Sequence, residues 1–337
     1  MNLQLLSTTI LWSVLLISDT TVAARATSVE VEKKPEEGLQ EAMVDSKAEA
    51  PDQSILDSYG EFLGGLPKDD PASISKGIGQ YLIQIGDCNA ATRDRAFLLF
   101  LDFHTQTCEA LDKKVSEYVQ ARTQEFGKNY LFDRFWEEYP PSEVGRRLAR
   151  HGLELHPNEE AWPEVRGIPP QIPAVFSPYV SRSLKCYLEL RERELEEGFA
   201  ADGGLLVSFK RLAERLGQWE DYLKRFPNSL VRADVIGIRN TSLNAMLGSC
   251  WNTTPEIRKG GEDIKSIYEQ FVRDHPGTES ADILTVFLKK YAEADWEYSY
   301  EIRKAALLAW NGTTDEDAIR ADAWPAIQLY YRVVKAP

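Results

Sequence analysis

Positive charge is scarce in this chain: 39 Lys and Arg stand against 53 Asp and Glu, a formal net charge of −14. Such a field repels phosphate backbones, and no basic stripe overrides it, so nucleic acid is excluded as a partner. Cysteine is sparse, with Cys88, Cys108, Cys186 and Cys250 spread along the chain and no C-x-x-C pair among them. That spacing argues against a zinc knuckle or a thioredoxin-type redox centre. Only 4 histidines occur; His151 and His156 are the nearest pair, and their separation misses the i, i+4 spacing of a metal-binding helix face. A P-loop, a dinucleotide fingerprint and a G-x-S-x-G elbow are missing, and the lone G-x-G of "KGIGQY" (Lys76 to Tyr81) is too weak to use. No metal site and no cofactor are expected.

Long apolar runs are absent beyond the N-terminus. There, "MNLQLLSTTILWSVLLISDTTVAARA" carries an apolar stretch from Leu5 to Ile17 followed by small residues through Ala24 and Ala26. This is the pattern of a secretory signal peptide. Its first residues lack Lys and Arg, which leaves an uncleaved anchor as the alternative, although the run falls short of the ~20 apolar residues that a membrane helix needs. Residues 1–26 are expected to be removed, giving a secreted or periplasmic protein with no stable membrane insertion. Residues 27–53 then hold eight acids, three lysines and no aromatic ring. Too little apolar surface is present there to offset chain entropy, and a disordered acidic linker is expected. In an exported chain the even cysteine count predicts two disulfides in one of three pairings, with buried free thiols as the other reading. Asn240, Asn252 and Asn311 open N-x-[ST] sequons.

Helical periodicity is abundant. Thr92 to Phe126 reads as one long helix or a broken pair, Ser181 to Gly198 as a helix ending at a glycine, and Ser229 to Leu247 as a helix with a serine N-cap. Further helices are expected at 280–293, 297–310 and 314–334, and no alternating strand pattern stands out. Five prolines between Trp162 and Pro178 predict an extended crossover in place of regular helix. The organisation expected is an N-terminal helical block (54–161), the crossover (162–178) and a C-terminal helical block (179–337).

One pattern recurs four times. Large side chains stand 8, 5, 4 and 1 positions before a proline: Tyr59, Phe62, Leu63 and Leu66 before Pro67; Phe132, Phe135, Trp136 and Tyr139 before Pro140; Trp219, Tyr222, Leu223 and Phe226 before Pro227; Tyr268, Phe271, Val272 and His275 before Pro276. These offsets are the i, i+3, i+4, i+7 stripe of one helix face, which buries as a unit. Proline disfavours helix at the residue before it, and capping residues follow: Asp70, Ser142, Asn228 or Ser229, and Thr278 or Ser280. The rings are assigned to structure rather than to ligand contact.

The stretches "WEDYLKRFPNSLVRAD" and "YEQFVRDHPGTESAD" resemble a tetratricopeptide-type helical repeat, the variant of bacterial envelope proteins whose helices end Y-x-x-F-L-x-x-Y-P-x-S. The resemblance implies an all-α solenoid of helix pairs whose concave face binds a protein or peptide. The chain departs from the family in its spacing, since the four prolines are 73, 87 and 49 residues apart where the repeat is about 34. The alternative is an all-helical carbohydrate- or cell-wall-active enzyme using paired carboxylates, with Glu137 or Glu138 as the acid. "FDRFWEEYP" matches the helix-end stripe, however, which puts those acids on a polar face. Ser249 with Cys250 shows no base partner in the sequence, and no catalytic residue is assigned.

Overall fold

Helix follows helix through most of the structure, a computed structural model that describes residues 50–127, 135–138, 142–157, 162–169, 171–201, 204–250, 255 and 263–312. The leader, the acidic segment up to 49, Phe132, Tyr139, Pro140, Asn252 and the helix expected at 314–334 lie outside the described residues. Helix α1 (Gln53–Gly64) begins where Asp52 Oδ1 accepts from the N–H groups of Ser54 and Ile55. Helix α2 (Ala72–Gln84) leads to α3 (Ala90–Phe126), whose first turn is capped by Asn89 accepting from Thr92 N–H at 2.9 Å. The 37 residues of α3 run unbroken, about 56 Å at the usual rise of ~1.5 Å per residue. It is the axis on which α1, α2 and the following hairpin pack.

After the short helices α4 (Trp136–Glu138) and α5 (Glu143–Ala149) come two antiparallel strands, β1 (Leu153–Pro157) and β2 (Pro163–Gly167). This hairpin corrects the strand-free expectation. Leu153, Leu155, Pro163 and Val165 are buried while their neighbours are partly open, a period of two over five residues a strand. The crossover expectation is half met. Residues 163–167 are extended, but α6 (Gln171–Phe176) is helical with Pro173 inside it, in the first turn where a missing N–H costs no intrahelical bond. Phe176 then wedges between Tyr81, Phe97 and Phe100, with ring centroids 4.8–4.9 Å away.

Helix α7 (Arg182–Glu197) starts at Ser181, which caps Leu184 N–H, and stops at Gly198 with φ +72°, where a left-handed residue ends the helix. A minimal ladder, β3 (Ala200–Ala201) with β4 (Gly204–Leu205), precedes α8 (Phe209–Arg225). Then come α9 (Arg232–Met246), α10 (Ile264–Asp274), α11 (Glu279–Glu293) and α12 (Tyr300–Asn311). Helix α8 packs on both α9 and α10, and α11 packs on α10 and α12. Among the described residues the fold is all-α with two small hairpins.

The stripes before the prolines are core. Tyr59, Phe135, Trp219, Tyr222, Tyr268 and Phe271 are buried, Phe62 is partly buried, and Pro67, Pro227 and Pro276 are exposed just past the helix ends. Each buried phenol reaches a backbone carbonyl: Tyr59 donates to Gly77 at 3.0 Å, Tyr222 to Ser183 at 3.1 Å, and Tyr268 to Met246. Full burial of one such ring stabilises by about 1.5–3 kcal/mol. The two C-terminal stripes meet at a glycine: a Cβ on Gly217 of α8 would lie 2.5 Å from His275 Nε2 of α10. Ser229 does not cap α9, which starts without a side-chain cap; its hydroxyl pairs with the Tyr222 hydroxyl at 2.7 Å. Thr278, by contrast, caps α11 by accepting from Ala281 N–H at 3.2 Å.

Candidate functional site

The expected disulfides are not formed, and all four cysteines are free. They sit on separate elements with separate neighbours. Cys88 follows α2 and lies 3.5 Å from Gln84 O, Cys108 faces His104 within α3, and Cys186 on α7 lies 3.5 Å from Arg225 Nη2. Cys250 is buried after α9. Burial pushes the thiols of Cys88, Cys108 and Cys186 above the ordinary range, which disfavours the nucleophilic thiolate.

Two recesses open along α3. The first is an apolar cleft of about 420 Å³ between the 111–122 turns of α3 and helix α5. Leu111, Val115, Phe135, Leu148 and Leu155 line it. Tyr118 and Val144, 46% and 44% exposed, carry its apolar surface outward to solvent. Lys114, Arg122 and Arg147 stand in its lining. Lys114 pairs with Asp69 at 2.7 Å and Arg147 with Asp70 at 2.9 Å, both in largely exposed geometry, where such pairs are worth little and exchange readily.

The second recess, about 320 Å³, lies between the 101–112 turns of α3, the β1–β2 hairpin, α6 and α7. His104, Cys108 and Asp112 enter it from one stripe of α3 at i, i+4, i+8. His104 is 4% exposed, its Nδ1 is 3.8 Å from Cys108 Sγ, and burial lowers its pKa to about 4, so the imidazole is neutral at physiological pH. Asp112 accepts from the N–H of Val165, which ties α3 to β2. Burial, opposed by that bond and reinforced by Glu164 and Glu109, raises its pKa to about 6. Glu192 on α7 is raised as well, by burial and then by Glu196 and Glu189.

A third polar assembly is interior. Trp219 Nε1 donates to Glu194 at 2.6 Å, Glu194 lies 3.4 Å from Arg191, and Tyr187 donates to Asp234. The fully buried Arg215 pairs with Glu197 at 2.7 Å, and Arg211 shares that carboxylate at 2.8 Å, holding Glu197 down at about 2. Arg239 of α9 reaches Glu220 of α8 at 3.6 Å and Glu279 of α11 at 2.5 Å, while Ser280 donates to Glu220. These pairs tie α7, α8, α9 and α11 together, and Tyr187 and Arg191 also stand in the wall of the second recess.

Of the acids weighed from the sequence, Glu137 is exposed, and the side chain of Glu138 lies outside the described residues. His151 accepts from or donates to Ser75 Oγ at 2.8 Å, whereas His156 belongs to the second recess opposite Glu164 in the strand register. Sequence reasoning set His151 and His156 aside as a metal pair and gave no role to His104 or Asp112. The H-x3-C-x3-D spacing was the available signal. Among the described residues no group of three or more His, Cys, Asp and Glu is arranged to hold a metal ion, and no helix is long and apolar enough to cross a membrane. No family model, curated protein or solved structure matches the chain.

Proposed function

We propose that this chain is a secreted or periplasmic helical scaffold of tetratricopeptide-like character that binds a protein or peptide, with the partner's apolar side chains entering the cleft between α3 and α5. The observation that carries this reading is the continuity of the cleft floor with the half-exposed Tyr118 and Val144. An enclosed small-molecule pocket has no need of apolar surface spreading beyond its mouth, whereas a docking surface combines a recess for anchor side chains with an apolar apron. The order α8–α9–α10–α11, two helical hairpins with α8 against α10, supports the repeat character, because stacked hairpins bury their faces on one another.

A photo-crosslinking residue placed at position 118 or 144 tests the reading. Polypeptide adducts are expected there and not from a control at the exposed Glu189, and Val144→Glu should cut the yield roughly tenfold by putting charge on the apron. Adducts of glycan alone would refute it.

The enzyme reading keeps one specific observation in its favour. Asp112, with its pKa near 6, sits beside Glu164 in the second recess, a pairing that suits a general acid and a carboxylate partner. Release of reducing ends from cell-wall polymer, abolished in Asp112→Asn, would establish it.

A further inference from the structure

The apolar cleft between α3 and α5 has charge of one sign only. Among the described residues its lining holds Lys114, Arg122 and Arg147 and no Asp or Glu, in a chain whose formal net charge is −14. The carboxylates that pair with these cations stand outside the lining: Asp69 with Lys114 at 2.7 Å, Asp70 with Arg147 at 2.9 Å and Glu125 with Arg122 at 2.9 Å. The side chains of Lys114, Arg122 and Arg147 remain 55%, 34% and 58% exposed, and pairs in such settings exchange partners at little cost. Helix α5 adds to the excess. With its C-cap it carries Arg146, Arg147 and Arg150 against Glu143 alone, and Arg146 and Arg150 share that carboxylate at 3.0 and 3.1 Å.

The cations are spaced along the cleft. Lys114 and Arg147 come from opposite walls but are held by consecutive aspartates, next to Pro71 in the lining, so both stand at the same end. Arg122 is eight residues beyond Lys114 on α3, two turns or about 12 Å along the axis. Val115 and Tyr118 lie between them in sequence, and Val144 and Leu148 contribute hydrocarbon from α5. Most of this surface is side chain from helices whose backbone groups are spent within the helices themselves. An extended peptide laid there would bury N–H and C=O groups with no partner, whereas a helix satisfies its own.

Resting on the docking reading of this cleft, we propose that its occupant is an acidic amphipathic helix of the partner protein, about three turns long. Its apolar stripe, at the usual i, i+3 or i+4, i+7 spacing, covers Val115, Tyr118, Val144 and Leu148. Carboxylates about two turns apart on that helix meet Lys114 and Arg147 at one end and Arg122 at the other.

The apolar contact supplies most of the affinity and the rim charges supply selection. Exchanging Asp69, Asp70 and Glu125 for carboxylates of the partner gains little in each pair, but a partner with lysines in those places would set like charges side by side. The excess of acid over the chain as a whole works in the same direction, because it repels an acidic helix from surfaces other than this rim.

Fluorescence anisotropy of the full chain with three synthetic helical peptides decides the matter. All are capped at both ends, so that no terminal charge takes part, and all carry the same leucine stripe; the flanking positions hold glutamate, glutamine or lysine. The glutamate peptide is expected to bind roughly tenfold tighter than the lysine peptide at about 20 mM salt, and the advantage should shrink severalfold at about 500 mM, where exposed charges are screened within a few ångströms. Lys114→Gln combined with Arg147→Gln, both at largely exposed side chains, should remove most of the advantage and leave the glutamine peptide's affinity unchanged. An undiminished preference for glutamate in that folded variant overturns the proposal. Equal binding of all three peptides, lost in Val144→Glu, would overturn the acidic assignment and leave the docking reading standing. Binding of none of them would overturn the inference too, and the docking reading falls with it only if position 118 also yields no polypeptide adduct. If dodecanoate binds and the glutamate peptide does not, the cleft takes anionic amphiphiles and the proposal fails.

Discussion

One helix, α3, builds two recesses of opposite character from successive stretches of its length. Its 111–122 turns offer leucine, valine and tyrosine to an apolar cleft, and its 104–112 turns offer histidine, cysteine and aspartate to an acid-lined cavity. The helix backbone is the same in both places, so the difference is made by the partners. Helix α5 and strand β1 cover the cleft with Leu148 and Leu155, whereas β2 and α7 bring Glu164 and Glu192 to the cavity. An amphipathic stripe thus says where a helix will be covered, and residues far along the chain decide what chemistry the covered place has.

Substitutions that act on one recess and spare the other test this separation. Leu148→Ala removes a buried side chain of the cleft and should cost about 2–5 kcal/mol in denaturant unfolding, with crosslinking at 118 reduced in the folded chain. Gly167→Ala places a methyl 3.1 Å from the His104 ring; a cost of about 1–3 kcal/mol is expected, with normal crosslinking at 118.

Asp112→Asn should stabilise the chain in a pH-dependent way. The folded pKa of Asp112, about 6, lies above its ordinary 3.8. Its contribution to stability is therefore fully present below that ordinary value and is lost as pH rises through about 6. The asparagine variant should gain on the parent at pH 7.5 by on the order of 1 kcal/mol, discounted because the carboxyl is partly exposed, and should lose the gain near pH 3.5, as melting curves at the two pH values would show. Lys114→Gln breaks an exposed pair with Asp69 and should move stability by less than about 1 kcal/mol. Its use is to ask whether the rim charge matters to crosslinking when the cleft floor is untouched.

Much of the architecture was readable from residue spacing because burial in a helix has a period. The stripes ending at Phe226 and His275, the caps Ser142 and Thr278, and the stop at Gly198 all reappear where the pattern put them. Ser229 was misread because capping propensity cannot foresee that a tyrosine hydroxyl seven residues earlier will claim the serine. The β1–β2 hairpin escaped because five-residue strands give the alternation too few repeats, and Pro173 because a proline in a first helical turn looks the same as one in a loop. The acid cavity was the least legible. Asp112 is one of 53 acids, and only tertiary contact with Val165 and Glu164 sets it apart. His104 stands in the apolar run "LFLDFHTQTC", and nothing in that run tells a packed histidine from one that lines a recess.

The smallest residue in the chain also governs some of its largest. With only hydrogen at position 217, the imidazole of His275 can settle onto α8, braced by Phe271 at 4.7 Å and by Asp221 at 3.8 Å. A methyl there would have to displace that ring, and through its bracing contacts would press on the helix that carries Tyr268. The distance between the two C-terminal hairpins is in this sense gauged by an atom's absence, and lengthening the array by copying either hairpin would demand a matching gap on the copy.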